Sequence, residues 1–252
     1  MNSLNQSVSQ VAHWIQEAER IVAFTGAGIS TESGIPDFRS AGGFFDQLSG
    51  KRYSGEEALS VPFFNRYPEL FFENYRTTLD FPDAKPNFGH QFFRLLEEKG
   101  KQVSIVTQNI DHLHEAAGSS IVYPLHGDAT KWKSVKTNKP IPAHEVQWDE
   151  NGIAIDSKGD KLRPDIVLYG DQLDEQVVDG AIKALQQADM LIVIGTSLNV
   201  MPAAYFIEEF RGRHSILINR TELAQMNRFD LAVKEKSGEF LRKVWKELNL
   251  KD

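Results

Sequence analysis

Short runs of consecutive apolar residues alternate along the chain with segments in which apolar residues recur every three or four positions. The apolar runs, which are typical of buried strands, are Ile21–Thr25, Val103–Thr107, Asp165–Leu168, Met190–Ile194 and Ser215–Ile218. The helical patterns cover residues 4–19, Asn87–Glu98, Gln176–Gln187, Ala203–Phe210 and Glu239–Leu248. Strands that are apolar on both faces and alternate with helices predict an α/β fold, with a Rossmann-like parallel sheet and helices on both faces.

Two segments interrupt this alternation. Residues 40–85 are rich in aromatic side chains and short helical patterns, whereas residues 127–162 are polar and rich in turn-forming residues. We therefore expect a Rossmann-like domain made of residues 1–39, 86–126 and 163–252. It would carry a helical insert at 40–85 and a small insert domain of short strands and turns at 127–162.

Three polar motifs follow directly after predicted strands, at Gly26–Ser30, Thr107–His114 and Gly195–Asn199. Because ligands of open parallel sheets bind beyond the carboxyl ends of the strands, these motifs predict a single cleft. Glycines after a strand let the backbone approach a diphosphate closely. Position 31, where the common dinucleotide motif needs a third glycine, is Thr31, and the specialised run Gly34–Arg39 follows instead.

Composition narrows the classes of function. The chain of 252 residues is 41% hydrophobic and 25% charged and has a formal net charge of −7, which argues against nucleic acid as the main partner. No apolar run approaches membrane-spanning length, and the first residues lack the basic and apolar regions of a signal peptide. We expect a soluble, cytoplasmic protein without a membrane partner. The chain has no cysteine, which excludes disulfides, thiolate metal sites and a cysteine nucleophile.

Taken singly, the candidate residues leave alternatives open. Gln108, Asn109 and Asp111 can point into a cleft as hydrogen-bonding groups, or Asp111 can simply cap the helix that begins near it. His126, beside Gly127, can act as a general base near neutral pH, although a lone histidine is more often structural. Spacing does not rank it above the other candidates, which are His90, His112, His114 and His144.

The two remaining motifs also allow more than one interpretation. Small hydroxyl residues in Gly195–Asn199 can hold a ribose or a phosphate, or the segment can be a strand-to-helix turn capped by Ser197 or Asn199. Asn219, which follows a strand, is a candidate for a nucleoside contact, but alone it is better explained as a turn residue.

Together the motifs resemble the sirtuin family of NAD-dependent protein-lysine deacylases, in its bacterial type. The matching segments are Gly26–Ser30, Gly34–Arg39, Thr107–Asp111, His126-Gly127, Arg163–Val167, Gly195–Ser197 and Asn219, in the order in which the family has them, over roughly residues 20–240. The resemblance implies that NAD is a co-substrate and that an acyl-lysine protein or peptide is the partner. The acyl group would be transferred to ADP-ribose with release of nicotinamide. Nothing in the pattern predicts an oligomeric state.

The resemblance also assigns roles to residues. His126, Asn109 and Asp111 would be catalytic, with His126 as the base. The implied NAD-binding residues are Gly26, Ala27, Gly28 and Ser30 at the diphosphate, Pro36, Asp37, Phe38 and Arg39 near the nicotinamide, Asn109 and Asp111 at its carboxamide, Gln108 at its ribose, and Gly195, Thr196, Ser197 and Asn219 at the adenosine end. Residues 40–85 would carry the cofactor loop. The implied substrate-binding residues are Phe44, Val167, Leu168, Tyr169 and Gly170, with Phe44 and Phe45 at the acyl pocket.

The chain departs from the family pattern in two places, and a third feature bears on the choice of acyl group. Most sirtuins hold a structural zinc with four cysteines in the insert after the catalytic histidine, so we expect no zinc here. The insert would instead be held by turns and by apolar residues, for which Trp132, Val135, Val146, Trp148 and Ile153 are candidates. The usual Phe-Gly-Glu reads Tyr169-Gly170-Asp171. The Tyr-x-x-Arg pair of desuccinylases is absent, which favours acetyl or other short uncharged acyl groups over succinyl and malonyl.

Two other functions compete with deacylation. The altered insert keeps open an NAD glycohydrolase or an ADP-ribosyltransferase built on the same NAD site. A non-catalytic NAD-binding module is disfavoured because Asn109, Asp111 and His126 are all present.

Overall fold

The computed structural model describes residues 3–38, 42–47 and 53–249. The strands are β1 Arg20–Thr25, β2 Gln102–Thr107, β3 Val122–Pro124, β4 Gly127–Ser134, β5 Pro140–Ile141, β6 Gln147–Trp148, β7 Ala154–Ile155, β8 Leu162–Ile166, β9 Met190–Ile194, β10 His214–Ile218 and β11 Leu231–Val233. The α-helices are α1 Ser3–Glu17, α2 Phe44–Gln47, α3 Gly55–Ala58, α4 Val61–Arg66, α5 Pro68–Thr78, α6 Phe88–Glu98, α7 Leu113–Ala116, α8 Glu175–Gln187 and α9 Ser237–Asn249. Short 3₁₀ helices span Ala27–Ser33, Ala143–Glu145, Ala203–Glu209 and Met226–Arg228.

The main sheet has six parallel strands in the order β11-β10-β9-β1-β2-β3. Four of the predicted strands lie in it, and the predicted α/β architecture is confirmed. Alternate residues of β1 serve opposite faces, as the pleat requires. Ile21 and Ala23 pack in the cluster that includes α1, α6 and α9. Val22 and Phe24 pack in the cluster that includes α8 and residues 203–209.

The direction of winding reverses between β1 and β9. The chain passes from β1 outward to β2 and β3, and it returns to the other side of β1 with β9, β10 and β11. Loops on the two sides of such a switch point diverge and leave a crevice between them. The glycine motifs at Gly26 and Gly195 follow these two strands.

One predicted strand lies elsewhere, which corrects the prediction for Asp165–Leu168. The strand is Leu162–Ile166, and it pairs antiparallel with β4 in a separate sheet of order β5-β4-β8. Its apolar residues Leu162 and Ile166 are buried against Ala129 and Trp132 of β4 and against the helical insert. An apolar run in the sequence indicates that a strand is buried, but it does not indicate which sheet the strand joins. The predicted division of the chain into three structural parts stays a prediction.

A second core joins this small sheet to helices α3–α5. The ring of Phe72 on α5 stacks on Trp132 at 6.3 Å, and the Tyr75 hydroxyl donates to the Ala129 carbonyl at 2.8 Å. Of the residues expected to hold the insert, Trp132 and Ile153 are buried and Val146 packs against the same core. Trp148 is half exposed but meets Trp132 edge to face at 5.7 Å.

Val135 departs from this expectation, since it is 43% exposed and belongs to a turn at the edge of the small sheet. Turns contribute as predicted. Asp149 Oδ1 accepts the backbone N–H groups of Asn151 and Ile153, and Asp156 Oδ1 does the same for Lys158 and Asp160. The small sheet is therefore stabilised by aromatic packing and by carboxylate-closed turns.

Candidate active site

A cavity of about 920 Å³ lies at the carboxyl ends of the parallel strands and extends to the small sheet. It brings together predicted residues from distant parts of the chain. Its lining includes Gly26, Ala27, Gly28, Asp37, Phe38, Gln108, Asn109, His126, Val167, Leu168, Tyr169, Gly170, Gly195, Thr196, Ser197 and Asn219. Ser30, Pro36, Phe44 and Asp111 do not line it, and Arg39 lies outside the described residues.

The loops after β1 and β9 meet backbone to backbone. The Gly28 N–H donates to the Gly195 carbonyl at 2.8 Å, and the Gly26 N–H donates to the Ile194 carbonyl at 2.9 Å. A Cβ atom on Gly28 would lie 2.6 Å from Gly195 Cα, a distance at which the backbones must separate. Gly195 also has φ +61°, in the left-handed region. The contact places backbone rather than side-chain atoms at the cavity wall, which lets a diphosphate approach closely.

A buried network lies beneath this wall and orients Asp111. The Asn87 N–H donates to His90 Nδ1, so the ring proton lies on Nε2, which donates to Ser30 Oγ at 3.3 Å. Ser30 in turn donates to Asp111 Oδ2 at 2.5 Å, and Asn109 Nδ2 donates to Ser30 Oγ. Ser30 therefore accepts two hydrogen bonds and donates one.

Burial decides the protonation of this network. It lowers the pKa of His90 to about 4, so the ring is neutral near pH 7. Burial also raises the pKa of Asp111, against the lowering effect of the Ser30 hydroxyl and the Leu113 N–H. That last bond, from Leu113 N to Asp111 Oδ1 at 3.0 Å, also shows Asp111 capping α7. The capping interpretation of this aspartate therefore holds, whereas Asp111 does not line the cavity and is connected to it through Ser30 and Asn109.

Asn87 is a residue that the sequence analysis missed here, and His90 was considered there only as a candidate base. Asn87 Nδ2 donates to the Ile29 carbonyl at 2.8 Å and to Ser33 Oγ at 2.9 Å, which fixes the 3₁₀ helix to the start of α6. The available signal was an asparagine at a helix start with a histidine three residues later. That pattern indicates capping, and only the tertiary structure shows that it reaches the cavity wall.

His126 is the histidine that lines the cavity among the described residues. Its Nδ1 lies 2.9 Å from the Gln108 carbonyl. A carbonyl only accepts, so Nδ1 carries the proton and Nε2 keeps its lone pair. Burial lowers the pKa of His126, which the bond to the Gln108 carbonyl opposes in part. The ring is therefore a neutral acceptor near neutral pH, as a general base must be.

The other histidines have different surroundings. His90 and His114 are fully enclosed in the sheet domain, and burial lowers the pKa of both. His112 Nδ1 lies 2.8 Å from Asp128 Oδ2. His144 is exposed on residues 127–162, which together form the small module. The structure thus ranks His126 first on access to the cavity.

The part of the cavity near Thr196 and Asn219 is lined by several polar side chains. Gln108 Nε2 donates to Thr196 Oγ1 at 3.1 Å, which links the loops after β2 and β9. Asn219 Nδ2 donates to the Thr221 carbonyl at 2.9 Å, so this asparagine shapes a turn as well as lining the cavity. Arg220, Glu235 and Lys236 also line this end. The sequence analysis missed them, because charged residues after edge strands are common on any surface.

Aromatic side chains close the end of the cavity nearer the helical insert. The rings of Phe38 and Phe45 line it and meet at 5.9 Å. Phe44 is buried in the second core, 5.6 Å from Phe38, and supports that ring from behind. The apolar wall thus consists of Phe38 and Phe45 together with Leu59, Ile110, Ile166 and Leu168.

The small module does not provide the donors of a structural zinc site. The chain has no cysteine. Within the described residues, the group that could hold a metal is His112, Glu115 and Asp128, and Asp128 Oδ2 there already contacts His112 and, at 3.2 Å, the Lys131 ammonium. Neither the thiolates nor a free tetrahedral donor set of such a site is present in the described part of residues 127–162.

The sequence is similar to those of known proteins over most of its length. The model of the Sir2 family matches residues 26–202. An NAD-dependent protein deacetylase of Clostridium perfringens is 42% identical over 250 residues, which cover 96% of this chain and 99% of the relative. One of Cutibacterium acnes is 43% identical over 235 residues, covering 93% and 96%. The chain belongs to the Sir2 family.

Solved Sir2 structures share the whole fold. A Sir2 bound to acetylated peptide superimposes with a TM-score of 0.83 at 31% identity, covering 96% of this chain and 99% of that one. A complex of Sir2 with a p53 peptide and NAD⁺ has a TM-score of 0.82 at 32% identity, covering 96% and 98%. In the described part of this Sir2-family chain, no helix has the length and apolar character needed to cross a membrane.

Proposed function

We propose that this Sir2-family chain is an NAD-dependent protein-lysine deacetylase, which transfers the acyl group of a lysine side chain to ADP-ribose and releases nicotinamide. The observation that carries the proposal is His126. A histidine with a free Nε2 lone pair lines one cavity together with the glycine loops and with the segment Val167–Gly170. We retain a cytoplasmic location as a prediction that accompanies this function.

The cavity suits a dinucleotide laid across the switch point. The glycine contact between Gly28 and Gly195 supports the diphosphate, and Thr196, Ser197 and Asn219 take the adenosine end. Gln108 reaches the nicotinamide ribose. We place the nicotinamide among the residues that the resemblance implied, Asn109, Asp111, Pro36, Asp37, Phe38 and Arg39. Asp111 and Ser30 act from beneath the wall by orienting Asn109.

Bound NAD supplies an electrophilic ribose carbon and a leaving nicotinamide. The chain's own contribution is to hold His126 as the acceptor of a proton from a ribose hydroxyl. The Gln108 carbonyl holds the Nδ1 proton and thereby fixes the tautomer. A low dielectric around the buried ring keeps the ring neutral until that proton arrives.

The acyl-lysine peptide would pair as an added strand with backbone groups of Val167 and Gly170, since the N–H groups of Val167, Leu168 and Tyr169 already donate within the fold. Its acyl group then enters the wall formed by Phe38 and Phe45. The cations among the lining residues, Arg220 and Lys236, belong to the opposite, polar end. A succinyl or malonyl carboxylate in the aromatic wall would be desolvated without a partner, which is costly. Acetyl and other short uncharged groups are therefore the expected substrates, and a desuccinylase rate above the deacetylase rate would contradict this.

The test is to compare His126→Ala with the wild type on an acetylated peptide. Loss of a general base lowers the rate by roughly 100- to 10,000-fold. We expect that loss in deacetylated peptide and in O-acyl-ADP-ribose, and a smaller loss in nicotinamide release. His144→Ala, at an exposed position on the small module, is the control. Equal loss of both activities would contradict the role of His126.

The same assay separates the alternatives. Nicotinamide release that requires the acetylated peptide supports deacylation. Release at the same rate without peptide indicates an NAD glycohydrolase, and label from NAD that remains on the protein acceptor indicates an ADP-ribosyltransferase.

We also propose that this member works without zinc. The aromatic core around Trp132 and the turns closed by Asp149 and Asp156 occupy the module in which most sirtuins hold the metal. Elemental analysis of the purified protein should find no stoichiometric zinc, and a chelator should leave both the melting temperature and the deacetylase rate unchanged. Stoichiometric zinc that resists dialysis would refute the proposal.

A further inference from the structure

A partly buried ion pair lies beside the cavity wall near His126. Arg163 on β8 donates from Nη2 to Asp171 Oδ2 at 2.6 Å and from Nη1 to Oδ1 at 3.4 Å. The arginine side chain is 9% exposed and the aspartate 27%. Such a two-pronged contact matches a planar guanidinium to a carboxylate, a geometry that the single ammonium of lysine does not reproduce.

Both members of the pair also hold the backbone between them. Arg163 Nη2 donates to the Ile166 carbonyl at 2.8 Å. Asp171 Oδ2 accepts the Leu168 N–H at 3.0 Å, and the Asp171 N–H donates to the Leu168 carbonyl at 2.9 Å. The turn also requires Gly170, whose φ is +101°. The ion pair thus closes a tight turn over Leu168–Asp171.

This turn is connected to the catalytic histidine and to the helical insert. The Val167 N–H donates to the His126 carbonyl at 2.8 Å. Tyr169 pairs on the other side, with its N–H donating to the Leu59 carbonyl at 2.8 Å and its carbonyl accepting from Val61 N at 3.0 Å. A shift of the turn would therefore move the segment Val167–Gly170 relative to His126.

The pair is an inefficient way to gain stability. Arg163 Nε is buried and has no hydrogen-bond partner in the structure. Desolvation offsets much of the attraction in a partly buried ion pair, so the pair gains little stability, and we infer that its role is to maintain the geometry of the turn.

We propose that Arg163 and Asp171 are positioning residues for the acyl-lysine peptide. The pair holds Leu168–Asp171 in the one turn that presents the segment Val167–Gly170 to an added strand at a fixed distance from His126. This inference rests on the proposed deacetylase function.

The experiment measures steady-state kinetics of Arg163→Met and Asp171→Asn with an acetylated peptide and NAD varied in turn. Either variant should raise the peptide KM by roughly tenfold or more, with the KM for NAD unchanged. Asp171→Glu keeps the charge and should recover most of the peptide affinity. Because the two residues act as a unit, the double variant should be no worse than the poorer single variant.

Lys133→Met is the matched control. It removes a different ion pair, which joins β4 to β8 through Lys133 and Asp165 at 2.8 Å, without touching the turn, and it should leave the peptide KM unchanged. A merely structural role would lower the melting temperature in Arg163→Met while the peptide KM stayed at the wild-type value. That result, or an equal rise in the KM for NAD, would overturn the inference.

Two outcomes distinguish a failure of this inference from a failure of the proposed function. A wild-type protein that does not deacetylate the peptide refutes the proposed function before any variant is compared. If Arg163→Met does not fold, Asp171→Asn decides the question, since its amide oxygen can still accept the Leu168 N–H while the charge is gone.

Discussion

The two sides of the cavity are built by opposite means. On the sheet side, Gly26, Gly28 and Gly195 let two loops touch backbone to backbone, so the wall depends on side chains that are absent. On the side of the small sheet, Phe72 and Trp132 lie behind the lining residues and fill the space between helices and strands, so large side chains support the wall. An added methyl group should therefore disrupt the glycine contact, whereas truncation of a ring should disrupt the aromatic core.

The largest expected effect comes from adding a methyl group to the sheet side. In Gly28→Ala the new Cβ would lie 2.6 Å from Gly195 Cα, which forces the loops after β1 and β9 apart. We expect kcat/KM for NAD to fall by roughly 100-fold or more, about 2.7 kcal/mol of transition-state stabilisation.

Gly100→Ala is the control for that substitution. Gly100 follows α6, has φ +86° and has no atom within 4 Å of the added Cβ. It should cost about 1 kcal/mol of stability and leave NAD kinetics unchanged. If both variants kept wild-type NAD kinetics, the contact between the glycine loops would not be the feature that shapes the NAD site.

The next effect comes from removing atoms on the aromatic side. Trp132→Ala and Trp14→Ala truncate rings that are 8% and 7% exposed, one in each core. Each should lower the free energy of unfolding by about 3–5 kcal/mol, as measured by chemical denaturation.

The two truncations should differ in function. Only Trp132→Ala should raise the peptide KM, because its core supports β8 and the segment that follows it. Trp132→Phe serves as a milder second variant if the alanine variant does not fold. A rise in the peptide KM in Trp14→Ala as well would show that the peptide site responds to general loss of stability.

A smaller effect concerns pH and the network beneath the glycine wall. Since burial lowers the pKa of His90 from 6.5 to about 4, the unfolded chain binds a proton more readily than the folded chain in that interval. The contribution of His90 is fully present above pH 6.5, and this group alone should lower the free energy of unfolding by about 1.4 kcal/mol per pH unit as the pH decreases from 6.5 towards 4. Burial also lowers the pKa of His114 and His126, so these groups add to the slope.

Denaturation curves at pH 7.5 and 5.5 measure this slope. His90→Gln should reduce the dependence of the free energy of unfolding on pH, because the titrating ring is gone. Ser30→Ala removes the hydrogen-bond partner of His90 but keeps the ring, so the dependence on pH should remain. An unchanged slope in His90→Gln would assign the acid sensitivity to other groups.

The sequence was most informative where backbone approach matters. Gly26, Gly28 and Gly195 stand directly after apolar runs, and a glycine in that position already indicates close contact. It was less informative where partners are distant. The exposure of Val135, the antiparallel pairing of Leu162–Ile166 and the burial of Phe44 behind Phe38 depend on which elements meet, and a local pattern does not encode that. The same holds for His90, whose partner Ser30 lies sixty residues away.

By itself, the sequence determined the parallel α/β sheet, the cleft at its carboxyl edge, the family resemblance and the lack of thiolate ligands. These follow from local patterns, since burial periodicity, glycine placement and residue type are readable along the chain. The tertiary structure alone decided the tautomer of His126, the buried network that orients Asp111 and the turn held by Arg163 and Asp171. Each of these depends on hydrogen bonds between groups that only folding brings within 3 Å or so, and a linear pattern carries no record of such distances.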